Sequence, residues 1–109
     1  MTEPASMAEL QAMGKGKFSL SGELTFTSVA SLWRKGEYPF PNTNRVALDL
    51  SEVIHSDSAG LALMVEWLRQ SKTRDAIIEI HNIPKQMLSL ARTAGIDFLL
   101  EMPEPKSQE

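Results

Sequence analysis

Five consecutive residues, Ser56-Asp57-Ser58-Ala59-Gly60, set two hydroxyls and a carboxylate directly ahead of a segment with helical patterning. A helix that starts near Ser58 leaves up to four backbone N–H groups without internal partners. Asp57 or Ser58 can cap one or two of them, contributing about 1 kcal/mol each. Gly60 has no side chain, so another backbone can come close to the first helical turn. Short hydroxyls beside the positive end of a helix suit hydrogen bonding to a carbonyl or carboxylate on another polypeptide. N-capping alone accounts for Asp57; the Ser56-Asp57-Ser58 group with Gly60 behind it is expected to contact a partner.

Other chemistry finds little footing. The chain has no cysteine, which removes disulfides, thiol catalysis and thiolate metal sites. His55 and His81 stand outside any metal-ligand spacing such as H-x-x-x-H and read as structural. A hydrolase built on Ser58 with either histidine would need an oriented nucleophile and base, which proximity in sequence does not supply. Glu23 follows a turn glycine, and a general-acid role would require a second carboxylate in a cleft. No G-x-x-x-x-G-K-[ST] phosphate loop is present. Met64, Met87 and Met102 read as filler of the core or terminus. No metal and no cofactor is expected, and the chain is expected not to be an enzyme.

The elements that must position the loop follow from periodicity. Residues 1–16 are polar and unpatterned, and are expected to form a flexible arm. Phe18, Leu20 and Leu24 alternate like a half-buried strand, with Ser21-Gly22-Glu23 read as a tight turn or bulge within a hairpin. Thr27 or Ser28 can cap a short helix whose stripe is Val29, Leu32 and Trp33, with Gly36 as its stop. Pro39, Pro41 and Asn42 make a loop; Val46, Leu48 and Leu50 alternate along a strand leading into Ser51. A helix is expected over residues 58–72, a buried strand over 76–81, and a helix from Pro84 to Gly95 with Met87, Leu88 and Ala91 inward. Residues 96–100 read as an edge strand or packed loop, and 101–109 as a disordered tail. Helices alternating with strands imply one α/β domain over residues 17–100. Its mixed sheet has four to five strands, a hairpin at its start, and helices mainly on one face.

The 58–72 helix gives a second clue. If Leu61, Met64, Val65 and Leu68 face the core, a 3.6-residue period turns Ala59, Leu63, Glu66 and Gln70 away and leaves Trp67 on the flank. Leu63, Glu66 and Trp67 then join the helix-start residues as an expected partner-binding surface.

Composition fits this picture. At 109 residues, 42% hydrophobic and 23% charged, the chain is one ordinary globular domain. A net charge of -3 provides no long-range attraction for nucleic acid or anionic lipid. Arg69, Lys72 and Arg74 form the densest basic group and read as a solvated helix end. No segment approaches the roughly 20 apolar residues that cross a bilayer, and no secretory pattern opens the chain. The expected location is the cytoplasm, with any membrane association made through a partner.

Three stretches resemble the STAS family, whose bacterial members include anti-anti-sigma factors. Leu20-Ser21-Gly22-Glu23-Leu24 is similar to its opening SGEL hairpin, Leu48-Asp49-Leu50-Ser51-Glu52-Val53 to its DLS-x-V strand, and Asp57-Ser58-Ala59-Gly60-Leu61 to its loop opening a helix. Order and spacing agree across residues 17–100. With Leu32-Trp33 and Gly60-Leu61-Ala62-Leu63, the pattern is most similar to the small STAS subunits of Mla phospholipid transport systems. The resemblance implies a cytoplasmic subunit that binds the transporter's ATPase. Anti-anti-sigma factors instead carry a regulatory phosphoserine two residues after the motif aspartate, and here that place is Ala59. Ser58, one residue earlier, is the remaining candidate phosphoacceptor. The alternative reading is an antagonist that sequesters an anti-sigma kinase.

Overall fold

The computed structural model describes residues 7–33, 38–40 and 43–100. Four strands, β1 (Glu9–Gly14), β2 (Lys17–Leu24), β3 (Arg45–Ser56) and β4 (Ile77–His81), form one sheet in sequence order. β1 runs antiparallel to β2, while β2, β3 and β4 are mutually parallel. Helix α1 (Phe26–Leu32) crosses from β2 to β3, and α2 (Ser58–Thr73) from β3 to β4; α3 (Lys85–Ala94) and the short α4 (Asp97–Leu100) follow. The mixed α/β architecture is the one expected.

Several local expectations need correction. Residues 9–14 are a paired strand, not part of a flexible arm. Their pattern is thin because only Leu10 is half-buried between exposed neighbours, so alternation hardly registers. The hairpin turns at residues 14–16, and Ser21-Gly22-Glu23 lies inside β2, where the pairing with β3 slips. Gly22 is needed there: its φ is +95°, and a Cβ would overlap the Met7 carbonyl as the chain enters β1. Residues 96–100 end in a helical turn, because Gly95 closes α3 in the left-handed conformation and the chain folds back onto the core through Leu100. Residues 1–6, Gly36, Pro41, Asn42, Met102 and the 101–109 tail lie outside the described residues.

One face of the sheet carries the core. Leu20, Leu24, Val46, Leu48, Leu50 and Ile78 are at most 2% exposed and pack against Val29, Met64, Met87 and Ala91 of the helices. Phe40 stands edge-on to Phe18, Tyr38 and Trp67 at centroid distances of 4.7, 5.3 and 5.3 Å. Arg74, at the end of α2, lies 4.4 Å over the Tyr38 ring. The other face presents Lys17, Ser19, Asp49 and His81 to an open trough. Asp49 of the DLS stretch accepts from the Ser51 amide (3.2 Å), the Ser51 hydroxyl (2.7 Å) and the Asn82 amide (2.6 Å), which ties β3 to the end of β4. These donors hold its carboxyl below its usual range.

Candidate partner-docking site

β2 and β3 end level with each other, with Leu24 paired to Ser56. Helices α1 and α2 therefore start side by side. Thr25, rather than Thr27 or Ser28, caps α1: its hydroxyl accepts from the Ser28 amide, and the Ser28 hydroxyl accepts from the Thr25 amide at 2.9 Å. The same Ser28 hydroxyl donates to the Glu23 carbonyl at 2.6 Å, which binds the helix start to the strand end. Asp57 caps α2, its Oδ1 accepting from the Ala59 amide at 2.8 Å. The Asp57 amide donates to the Leu24 carbonyl at 3.0 Å, locking the two starts together.

The residues expected to bind a partner separate into two groups. Ser58 is exposed, with Asp57, Ala59 and Glu66 partly so. Ser56 and Gly60 turn inward. Ser56 is 2% exposed; its hydroxyl donates to the Asp57 carbonyl and its amide to Gln86 Oε1 at 3.3 Å. A Cβ on Gly60 would overlap the Ser56 hydroxyl and stand 2.8 Å from Leu24 Cβ. The close approach that Gly60 permits is thus to this chain's own strands.

Leu63 and Trp67 were expected outside the core face, and this is corrected: they are 0% and 5% exposed. α2 buries Gly60, Leu61, Leu63, Met64, Trp67 and Ser71, so Leu61 and Met64 face inward as expected while the buried arc extends round to Leu63 and Trp67. Val65 and Leu68 are half-buried on the flank. With α1 and α3 packed on either side, α2 buries a wide arc, and apolar residues over such an arc admit more than one candidate stripe. Glu66 remains on the surface, gripped by Arg69 (Nε at 3.0 Å) and Gln70 (2.7 Å). Hydrogen bonds from these two residues lower its pKa from the ordinary 4.5 to about 2.

A shallow groove of about 480 Å³ runs between α1 and the start of α2. Ala30, Ala59 and Ala62 keep its sides low, Ser58 stands at one end, and Phe26 and Trp33 flank it at 80% and 37% exposure. Phe26 and Ala30 escaped the sequence reading, Trp33 was read with Val29 and Leu32 as one helical stripe, and Ala62 only as part of the Gly60-Leu61-Ala62-Leu63 stretch. The available signal was the spacing Phe26, Ala30, Trp33 (i, i+4, i+7), a second stripe on α1 beside Val29. Among the described residues, no three His, Asp or Glu side chains gather to hold a metal, and no helix is long and apolar enough to cross a membrane.

Residues 8–101 match the family described as "Mlab, STAS domain". The chain belongs to the STAS domain family, in its MlaB group. This STAS domain is 31% identical over 81 residues to the "Intermembrane phospholipid transport system binding protein MlaB" of Haemophilus influenzae, covering 71% of this chain and 77% of that protein. Its fold is also that of the anti-sigma factor antagonist SpoIIAA in its unphosphorylated form, with a TM-score of 0.63 at 14% identity, covering 83% and 82% of the two chains. That likeness speaks for the STAS fold alone.

Proposed function

We propose that this STAS domain is a non-catalytic subunit that docks on the ATPase of a phospholipid-trafficking ABC transporter that maintains outer-membrane lipid asymmetry. It works in the cytoplasm and reaches the inner membrane only through that complex. The observation that carries the reading is the α1–α2 groove. Phe26 and Trp33 are large aromatic side chains left exposed over an alanine surface, next to the Ser58 helix start. Exposed aromatics beside small residues and short polar groups are what the centre of a protein interface uses. Similarity to a phospholipid transport binding protein points to the partner class, and the resemblance to Mla subunits narrows it to the ATPase. Ser58 adds a short hydroxyl at the positive end of α2, suited to a carbonyl or carboxylate of that partner.

Affinity purification of the tagged chain from its native extract tests this. Recovery of an ABC ATPase and its permease, identified by mass spectrometry, is the expected result; recovery of neither contradicts the proposal. A second reading, sequestration of an anti-sigma kinase, draws on the exposure of Ser58 at the first position of α2. It is separated by incubation with such a kinase and ATP followed by intact mass. A stoichiometric phosphate on Ser58 would favour that reading over the transporter subunit.

A further inference from the structure

β3 outruns β4. Its last pairing with that strand is Asp49 with His81, so residues 50–56 have no strand on that side among the described residues. The far end of this overhang is Ser56, which is 2% exposed and lies under the first turn of α2. A buried amide in such a place needs an acceptor. The next amide, that of Asp57, reaches the Leu24 carbonyl on the β2 side. The Ser56 amide turns the other way and donates to Gln86 Oε1 at 3.3 Å. Gln86 stands on the exposed side of the first turn of α3, and its neighbour Met87, 0% exposed, pins that turn to the core. α3 is therefore fastened to the strand end from which α2 starts.

We propose that Gln86 is a positioning residue for the α1–α2 groove: it holds the Ser56 end of β3 against α3, and through Ser56 it sets where Ser58 and Ala59 stand. This inference rests on the groove being the docking site. The chain of contacts is short. Gln86 takes the Ser56 amide, and Gly60 lies so close to the Ser56 hydroxyl that a Cβ there would overlap it. Ser58 and Ala59, in the same turn as Gly60, line the groove, while Gln86 does not. Without the glutamine oxygen the Ser56 amide must take its hydrogen bond from water. That draws the strand end out of its packed position, and the first turn of α2 moves with it.

Two variants separate the oxygen from the bulk of the side chain. Gln86→Met keeps the length and loses the acceptor; Gln86→Glu keeps an acceptor. In amide NMR spectra of the free full chain, Gln86→Met is expected to shift the Ser58 and Ala59 resonances and to speed exchange of the Ser56 amide, while Gln86→Glu leaves all three near the parent. In calorimetry against the cognate ABC ATPase, Gln86→Met is expected to bind about threefold to tenfold more weakly, and Gln86→Glu as the parent does. Ser58 and Ala59 resonances that stay in place in Gln86→Met overturn the proposal; weaker binding would then mean that Gln86 itself touches the ATPase. Shifted resonances with parent-like affinity overturn it as well when Ala62→Arg, inside the groove, does weaken binding. If Ala62→Arg binds as the parent does, it is the docking groove that fails, and the resonances alone decide whether Gln86 places the first turn of α2.

Discussion

Gly60 packs so tightly on Ser56 that its α-carbon has no room for a methyl group: a Cβ would run into the Ser56 hydroxyl. Leu24 Cβ, on the neighbouring strand, would stand 2.8 Å away. The first turn of α2 thus rests directly on the ends of β2 and β3, and this contact fixes where Ser58 and the groove beside it are presented.

Gly60→Ala tests that contact. Alanine favours helix by up to about 1 kcal/mol over glycine, but overpacking against two strand ends costs about 1–3 kcal/mol. The Leu24 contact involves a Cβ close to the backbone, so the clash prevails and a net loss is expected in urea denaturation. Adding Ser56→Ala should recover part of the loss by removing one of the two obstacles. A Gly60→Ala variant as stable as the parent would show that α2 can lift freely from the strands.

Leu63 and Trp67 are packed in the core. Trp67→Ala is expected to cost about 3–5 kcal/mol, a large part of the 5–15 kcal/mol typical of a domain. Leu63→Asp, which buries a carboxylate at a fully enclosed position, should unfold the chain outright. Thermal melts followed by circular dichroism decide this; cooperative melts near the parent's for both variants would return them to the surface.

These two residues also show how far the sequence could be read. The helix from 58 to 72, its Asp57 cap and its Gly95-terminated successor were legible because caps and glycine stops act locally. The direction of α2 was not: with Leu61, Leu63, Met64, Val65, Trp67 and Leu68 spread over its circumference, periodicity admits two stripes, and only packing between α1 and α3 selects one. β1 was missed for a related reason. An edge strand with one half-buried leucine has too little alternation to register, and the partner that orders it, β2, is reached only through the turn. The Asp57-Ser58 start was read correctly as an exposed helix opening, whereas the apolar wall opposite it comes from α1, remote in sequence.

Asp49 ties β3 to the start of the loop after β4. Asp49→Ala removes the acceptor for Asn82 and for both Ser51 donors, and is expected to cost about 1 kcal/mol, since the site is solvent-accessible. The loss should appear as faster amide exchange around Asn82 with the remaining sheet protected. Unchanged exchange there would mean the bonds do not hold the two segments together.

The Glu66 carboxyl should titrate near 2 in an NMR pH series, well below the ordinary 4.5. Its pKa is depressed in the folded state, so its stabilising effect is complete above about 4.5 and fades as pH falls through about 2. The pair is at the surface, so the effect on overall stability is small. Arg69→Ala removes the stronger of the two donors and should move the midpoint back toward 4.5; a midpoint already at 4.5 in the parent would show that the Glu66–Arg69 pair does not persist in solution.

The groove itself is tested most directly by titration calorimetry of the purified chain against its cognate ABC ATPase. Ala62→Arg fills the space between α1 and α2 with a charged side chain, and Phe26→Ala with Trp33→Ala strips its flanks; these positions are exposed, so circular dichroism should stay as in the parent. At least tenfold weaker binding in each folded variant, about 1.4 kcal/mol, is the predicted result. Parent-like affinity in folded variants would contradict the docking site.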